Sequence, residues 1–343
     1  MRTSRRSTNN NRRFIVFAVF VIFIFICYYN AFGLTKNDWK CIQDEWNGNT
    51  TALGTADFHT HFRISFADQE HNFSWIHLPR LNGKSPKILM MVMSRPDGLA
   101  RRNVLRDTWM NPNMSRIVND GTMKGIFVCG KGADQSIMDA LKKEAEEYGD
   151  IVTIDLDDNY LNLPYKTIAS LLFAVNRMKS VELIGKIDED VIFYPDQLIP
   201  LIQYDLINTR ISAIYGHKYD YGSMVNHQIN SKWHIPETSF KCRMYPPYIS
   251  GPCYLMTKTA ASMLLNATMF RKFITVEDAL ITGLLATDND IQLKHLDFIY
   301  NIQEATSDNS NQQVIAWHTS KNDTEYRKSF ERIRRFRCLA CKY

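Results

Sequence analysis

Residues 181–195 read VELIGKIDEDVIFYP. Val181 to Ile187 is a nearly continuous apolar run, as expected of a strand buried on both faces. It ends in Asp188-Glu189-Asp190, and Val191 to Pro195 is apolar again. Three acids in a row at a strand's carboxyl end repel one another unless something positive lies among them. The apolar flanks set this triplet apart from an ordinary solvated acidic loop. Hard oxygen ligands suit Mg²⁺ or Mn²⁺, and such an ion can bridge to phosphate oxygens.

Outward from this strand the chain alternates between strand and helix. Lys87 to Ser94 (KILMMVMS), Gly125 to Cys129 (GIFVC) and Asp150 to Ile154 (DIVTI) read as further buried strands. Asp134 to Tyr148 reads as a helix, with Asp134 as N-cap, Ile137, Met138 and Leu141 on one face, and Gly149 as its stop. Leu163 to Met178 reads as another. This rhythm predicts an α/β fold with a mainly parallel sheet covered by helices. Ligands bind beyond the carboxyl ends of the strands in such sheets.

No second linker follows residue 86, so residues 87–343 are expected to form one catalytic domain. Residues 35–86 show neither helical nor strand periodicity. They close on Asn82-Gly83 and Ser85-Pro86 punctuation and read as a lumenal stem.

The N-terminus sets the expected compartment. Phe14 to Tyr29 is apolar throughout, and Ala31, Phe32 and Leu34 can extend it. Arg2, Arg5, Arg6, Arg12 and Arg13 all precede it. The positive-inside rule then predicts a cytoplasmic tail at 1–13, a transmembrane signal anchor at 14–34 and a lumenal remainder. A cleaved signal peptide ending near Ala31-Phe32-Gly33 is the competing reading. The formal charge of +5 comes from those five arginines, since the other 36 basic residues match the 36 acids. A neutral remainder argues against nucleic acid as a partner.

In an oxidising lumen Cys41, Cys129, Cys242, Cys253, Cys338 and Cys341 would be free to pair, and sequence does not choose among the pairings. Cys338 and Cys341 have half of a zinc-site spacing with no second pair following. Glycosylation sequons occur at Asn49, Asn72, Asn113, Asn266 and Asn322.

Five stretches, taken together and in order, resemble a known family. Lys186-Ile187-Asp188-Glu189-Asp190-Val191 resembles the strand-end acidic motif of the beta-1,3-galactosyltransferases, a family that includes beta-1,3-N-acetylglucosaminyltransferases. Arg102 to Trp109 (RNVLRDTW) resembles its R-x-x-I-R-x-T-W. Asp158 to Thr167 (DNYLNLPYKT) resembles D-x-Y-x-N-L-T-x-K-T, and Tyr245 to Tyr254 (YPPYISGPCY) resembles Y-P-x-Y-x-x-G-x-x-Y. Glu277-Asp278 followed by Gly283 resembles E-D-V-x-x-G. Glu189, Pro164, Ala279 and Ile249 depart from the family pattern, and the outer acids Asp188 and Asp190 keep it.

The resemblance implies a GT-A type fold and an inverting transfer from a UDP-sugar, galactose favoured, to a glycan hydroxyl, forming a beta-1,3 bond. It also implies a Golgi membrane location, single-pass type II, with homo-oligomers open. Asp190 is the first expected metal ligand, with Asp188 acting through water or on the ribose. His318, in Ala316-Trp317-His318, resembles the late histidine that completes the site, and imidazole suits Mn²⁺ better than Mg²⁺. Asp278 falls where the family places its base. The helix dipole at the start of Asp278 to Leu285 would lower its pKa unless burial offsets it.

Arg102, Arg106, Lys166 and Glu189 are expected on the nucleotide-sugar, with arginine suited to bidentate phosphate contact. Tyr245, Tyr248, Gly251 and Glu277 are expected on the acceptor side. UDP-N-acetylglucosamine or UDP-N-acetylgalactosamine as donor, a metal-dependent phosphoesterase and a non-catalytic lumenal sugar-binding protein are the alternatives. The phosphoesterase would need more His and Asp ligands than the sequence offers.

Overall fold

The computed structural model describes residues 33–80, 85–300, 313–318 and 322–341. Its centre is a ten-stranded sheet in the order β1-β2-β3-β6-β5-β4-β7-β10-β9-β11. These strands are β1 Ala56–Asp57, β2 His61–Ser65, β3 Glu70–His77, β4 Ile88–Met93, β5 Met123–Lys131, β6 Ile151–Asp157, β7 Leu183–Asp188, β9 Ala213–Tyr219, β10 Tyr248–Thr257 and β11 Gln292–His295.

Strands β6, β5, β4 and β7 are mutually parallel, and helices connect them as the alternation predicts. The helix Gln135–Tyr148 starts at Asp134, whose carboxylate accepts from the Ile137 amide at 3.0 Å. It stops at Gly149, which sits in the left-handed region at φ 66° where a side chain would be strained. The helix Leu163–Arg177 lays a buried face that includes Leu172 and Phe173 against the sheet.

The expectation of a mainly parallel sheet preceded by one transmembrane helix is corrected on both counts. The sheet is mixed: β10 runs antiparallel to both β7 and β9, and β1–β2–β3 add antiparallel strands beyond β6. An unbroken apolar run marks a strand as buried, but its direction depends on the connection. β10 enters from the long 220–247 excursion, not from a crossover helix. On the second count, no helix among the described residues is long and apolar enough to cross a membrane. The expected tail 1–13 and the run Phe14 to Tyr29 lie outside the described residues, as do Asn82 and Gly83.

The expected stem is also corrected. Its residues fold against the domain as the helix Lys36–Asp44, capped by a reciprocal Thr35–Asp38 box, and as strands β1 to β3. β3 pairs with β6, Trp75 lying opposite Ile154. A Cys41–Cys242 disulfide, an Asp38–Arg243 ion pair at 2.7 Å and an Asp57–Arg177 pair at 2.9 Å pin the segment down. Its strands lack a clean apolar alternation because β3 lies near the sheet's end with most of its residues exposed or half-buried. Cys338 pairs with Cys341, while Cys129 and Cys253 are free thiols in the core.

A second sheet positions the acidic triplet from its other side. It joins β12 Ile299–Tyr300, β13 Ala316–His318 and β8 Val191–Phe193. β13 runs antiparallel to β8 and sets His318 opposite Val191, directly beyond Asp190. The C-terminal helix Asp323–Arg337 locks this arrangement, with the Tyr326 hydroxyl donating to the Val191 carbonyl at 2.7 Å.

Candidate active site

The carboxyl ends of β4, β6 and β7 open on a cleft of about 810 Å³. Parallel neighbours end level, Met93 of β4 pairing with Asp188 of β7, so the loops beyond them face one space. The triplet, Lys166, Gly251, Glu277, Asp278 and His318 all line this cleft.

The triplet divides into separate tasks. Asp190 Oδ2 lies 3.3 Å from His318 Nε2. Its Oδ1 is buried without a hydrogen-bond partner, and an orphaned carboxylate oxygen of this kind costs free energy unless a ligand meets it. Asp188 Oδ1 accepts from Lys186 Nζ at 2.6 Å; burial pushes its carboxyl above the usual range and Lys186 draws it back. Glu189 faces away from both. Its Oε2 accepts from the Ser94 hydroxyl at 2.6 Å and its Oε1 lies 3.4 Å from Arg95 Nε. Glu189, expected on the nucleotide-sugar, lines the cleft and braces the loop after β4.

Among the described residues no three His, Cys, Asp or Glu side chains cluster closely enough to enclose a metal ion by themselves. Asp190 and His318 form a two-residue holder whose remaining ligands would have to come from a bound molecule. The orphaned Oδ1 and the carboxylate–imidazole donor set are chemically suited to a divalent ion of the manganese class.

Asp278 lines the same cleft as this pair. It caps the π-helix Ala279–Leu285, and π-helical turns are frequent at functional sites. Its Oδ1 accepts from the Ala279 amide and its Oδ2 from the Gly251 amide, both at 2.9 Å. A Cβ on Gly251 would come within 3.2 Å of that Oδ2, so the glycine makes the approach possible. Burial is the largest influence on this carboxyl and holds its pKa above the ordinary aspartate value. Lys186 and the two amides pull it down less than burial pushes it up. Burial thus offsets the N-terminal dipole.

A second cavity of about 320 Å³ adjoins the cleft and is lined by Tyr219, Ser223, Asn226, Tyr245, Tyr248 and others. Asp278 and Trp233 line both spaces. Tyr245 is buried with an unpartnered hydroxyl, and the Tyr248 hydroxyl meets that of Ser223 at 3.0 Å. Tyr245 and Tyr248, expected on the acceptor side, both line this small cavity. Glu277 does not: it is buried, accepts from the Tyr254 hydroxyl at 2.6 Å and lies 3.7 Å from Lys186 Nζ.

Two of the expected phosphate contacts are corrected: Arg102 and Arg106 do not line the cleft, while Lys166 does. Arg102 is fully buried, and its guanidinium holds Glu144 bidentately at 2.8 and 2.5 Å. Arg106 pairs bidentately with Asp150 at 2.9 and 2.8 Å and with Glu144 at 2.8 Å. Both bind the helix Leu99–Asp107 to the helix Gln135–Tyr148. Arg106→Ala is expected to lower stability by about 3 kcal/mol, because it leaves two carboxylates short of a partner. UDP affinity should not change, and a denaturant melt beside a UDP titration checks both. Lys166 reaches the cleft, but its ammonium is taken up by the Ser94 carbonyl at 2.7 Å and by Asp158 at 2.8 and 3.1 Å.

Sequence reasoning gave no role to Lys186, Asp158, Ser94 or Trp233. Lys186 had a signal, being a charge inside an otherwise apolar strand. Asp158 and Lys166 stand on opposite ends of one quoted motif, eight residues apart, and turn out to bind each other. The five sequon asparagines are all exposed, and Asn322 uses its side-chain oxygen to cap the C-terminal helix.

The galactosyltransferase family profile matches residues 100–297. The chain is 48% identical over its whole length, and over 96% of the relative, to beta-1,3-galactosyltransferase bre-2 of Caenorhabditis elegans. It is 24% identical to beta-1,3-galactosyltransferase 1 of Mus musculus over 57% of the chain and 59% of that protein. The protein is a glycosyltransferase. More narrowly, the chain belongs to the galactosyltransferase family, of the beta-1,3-galactosyltransferase type.

Among solved structures, a glycosyltransferase involved in glycosylation of the PBCV-1 major capsid matches 72% of this chain and 100% of its own, at 11% identity and a TM-score of 0.40. The galactosyltransferase LgtC, in complex with donor and acceptor sugar analogues, matches 70% of this chain and 95% of its own, at 12% identity and a TM-score of 0.36. Scores this low add nothing to the assignment.

Proposed function

We propose that this glycosyltransferase moves galactose from UDP-galactose to a glycan hydroxyl, with inversion, forming a beta-1,3 linkage. The observation that carries this reading is the position of Asp278: one carboxylate borders both the small cavity and the large cleft that Asp190 and His318 also line. The cleft is assigned to the UDP-sugar and the smaller cavity to the acceptor sugar. The choice of galactose rests on the names of the relatives.

Asp190 and His318 would hold Mn²⁺, with Mg²⁺ as the alternative. A divalent ion there supplies neutralisation of the charge growing on the diphosphate leaving group. Asp278 takes the proton of the acceptor hydroxyl as its oxygen bonds to the anomeric carbon. The bond from that carbon to the UDP oxygen breaks on the opposite face. Tyr248 and Trp233 offer rings to the acceptor's apolar face, and the free Tyr245 hydroxyl offers it a hydrogen bond. The Cys41–Cys242 disulfide supports an oxidising, secretory compartment, and we assign the protein to the Golgi lumen.

Because the base must be ionised, kcat/KM is expected to rise with pH through the Asp278 pKa. Burial raises that pKa, so the acid limb should lie above the value of about 3.9 found for a free aspartate. A pH–rate profile in excess donor checks this, and a limb at or below the free value contradicts it. A turnover screen of UDP-galactose, UDP-N-acetylglucosamine and UDP-N-acetylgalactosamine with Mn²⁺ tests the donor. UDP-galactose is expected to be fastest, and a faster rate with either other donor sinks the galactose assignment.

A further inference from the structure

We infer that Lys186 is a positioning residue for the transfer, tying the nucleotide-side acid to the strand that orients the base. It lies in β7, is 1% exposed and contributes to the cleft lining, and protein atoms take up its ammonium. Nζ donates to Asp188 Oδ1 at 2.6 Å and to the Gly251 carbonyl at 2.7 Å, and lies 3.7 Å from Glu277 Oε2. Gly251 then donates its amide to Asp278 Oδ2 at 2.9 Å.

A continuous path therefore runs Asp188, Lys186, Gly251, Asp278 across two antiparallel strands. Register supports it, since β7 and β10 pair Lys186 with Tyr254 and Ile187 with Cys253, bringing the end of β7 level with Gly251. Two of the ammonium's three N–H groups are committed to protein atoms, Asp188 Oδ1 and the Gly251 carbonyl. Its reach matters: a flexible four-carbon stem with a compact ammonium lets one nitrogen serve a side chain and a backbone carbonyl on two strands.

Lys186 is also the cation among Asp188, Glu277 and Asp278, so a bland explanation is charge balance in the core. Two variants separate position from charge. Lys186→Arg keeps the charge and moves the donors. Lys186→Met combined with Glu277→Gln removes one cation and one buried acid together, and Gln still accepts from Tyr254.

The positioning role predicts that each variant that folds, as judged by its melting temperature, loses about 100-fold in kcat, the penalty typical of an ångström-scale misplacement. The KM for UDP-galactose should change less than kcat. If either folded variant keeps kcat within about threefold of the native enzyme, a change well short of that misplacement penalty, Lys186 is only a balancing charge. The inference is then overturned. This inference rests on Asp278 being the base. Asp278→Asn measured in parallel distinguishes the two failures, since retained activity there removes the base and leaves the Lys186 result to stand on its own.

Discussion

Asp278→Asn is expected to give a folded protein that binds UDP-galactose and does not transfer it. Loss of a general base typically costs about 10²- to 10⁴-fold, and the effect should fall on kcat. The substitution is close to isosteric. Asn keeps one oxygen for either the Gly251 or the Ala279 amide, both of which the carboxylate now serves at 2.9 Å. Leaving the other amide without an acceptor costs about 1–3 kcal/mol. Relief from burying a charge works in the other direction, because burial is what raises this carboxyl's pKa. Stability should therefore change little while turnover collapses. UDP affinity measured by titration should stay within about threefold, since the residue borders the acceptor cavity and makes no bond to the Asp190 side. An equal loss of binding and turnover would make Asp278 a structural cap.

Asp190→Ala should have the second largest effect, and on a different quantity. It removes the orphaned Oδ1 and the partner of His318 together. UDP binding in Mn²⁺ should fall to the level measured in EDTA, and transfer should fall with it. The fold should survive, because Asp190 makes no other bond that holds a strand in place, and Tyr326 keeps Val191 anchored from the far side. Glu189→Gln supplies the contrast. Gln keeps the reach to Ser94, so the loop after β4 should hold and Mn²⁺-dependent binding should persist. Retained metal-dependent binding in Asp190→Ala would remove that residue from the metal holder.

Much of this site is legible in the amino-acid sequence. The triplet at the end of VELIGKI can be placed on a buried strand because apolar continuity is a local property. The capping of Gln135–Tyr148 by Asp134 and Gly149 is local too. Asp278 at the start of a helix is equally readable, although the helix is of π type.

What the sequence hides depends on distant partners. Arg102 and Arg106 have the composition of phosphate ligands, and only the fold brings Glu144 and Asp150 to them across 42 and 44 residues of chain. The same holds for Lys166, whose partners include the Ser94 carbonyl 72 residues away. The direction of β10 and the sheet role of residues 56–77 are hidden for another reason. A buried strand such as β10 does not carry its direction in its own residues, and a half-exposed strand such as β3 leaves no continuous apolar run to read. Glu189 is hidden in the same way as the arginines, since its partner Ser94 lies 95 residues away in the chain.

The central claim is that the cleft beyond β4, β6 and β7 takes a UDP-sugar in a metal-dependent manner. Calorimetric titration of UDP-galactose into the purified protein tests it most directly, once with Mn²⁺ at millimolar concentration and once with EDTA. Saturable binding with Mn²⁺ that disappears in EDTA is the predicted result. No binding in Mn²⁺, or equal binding in both, would contradict it.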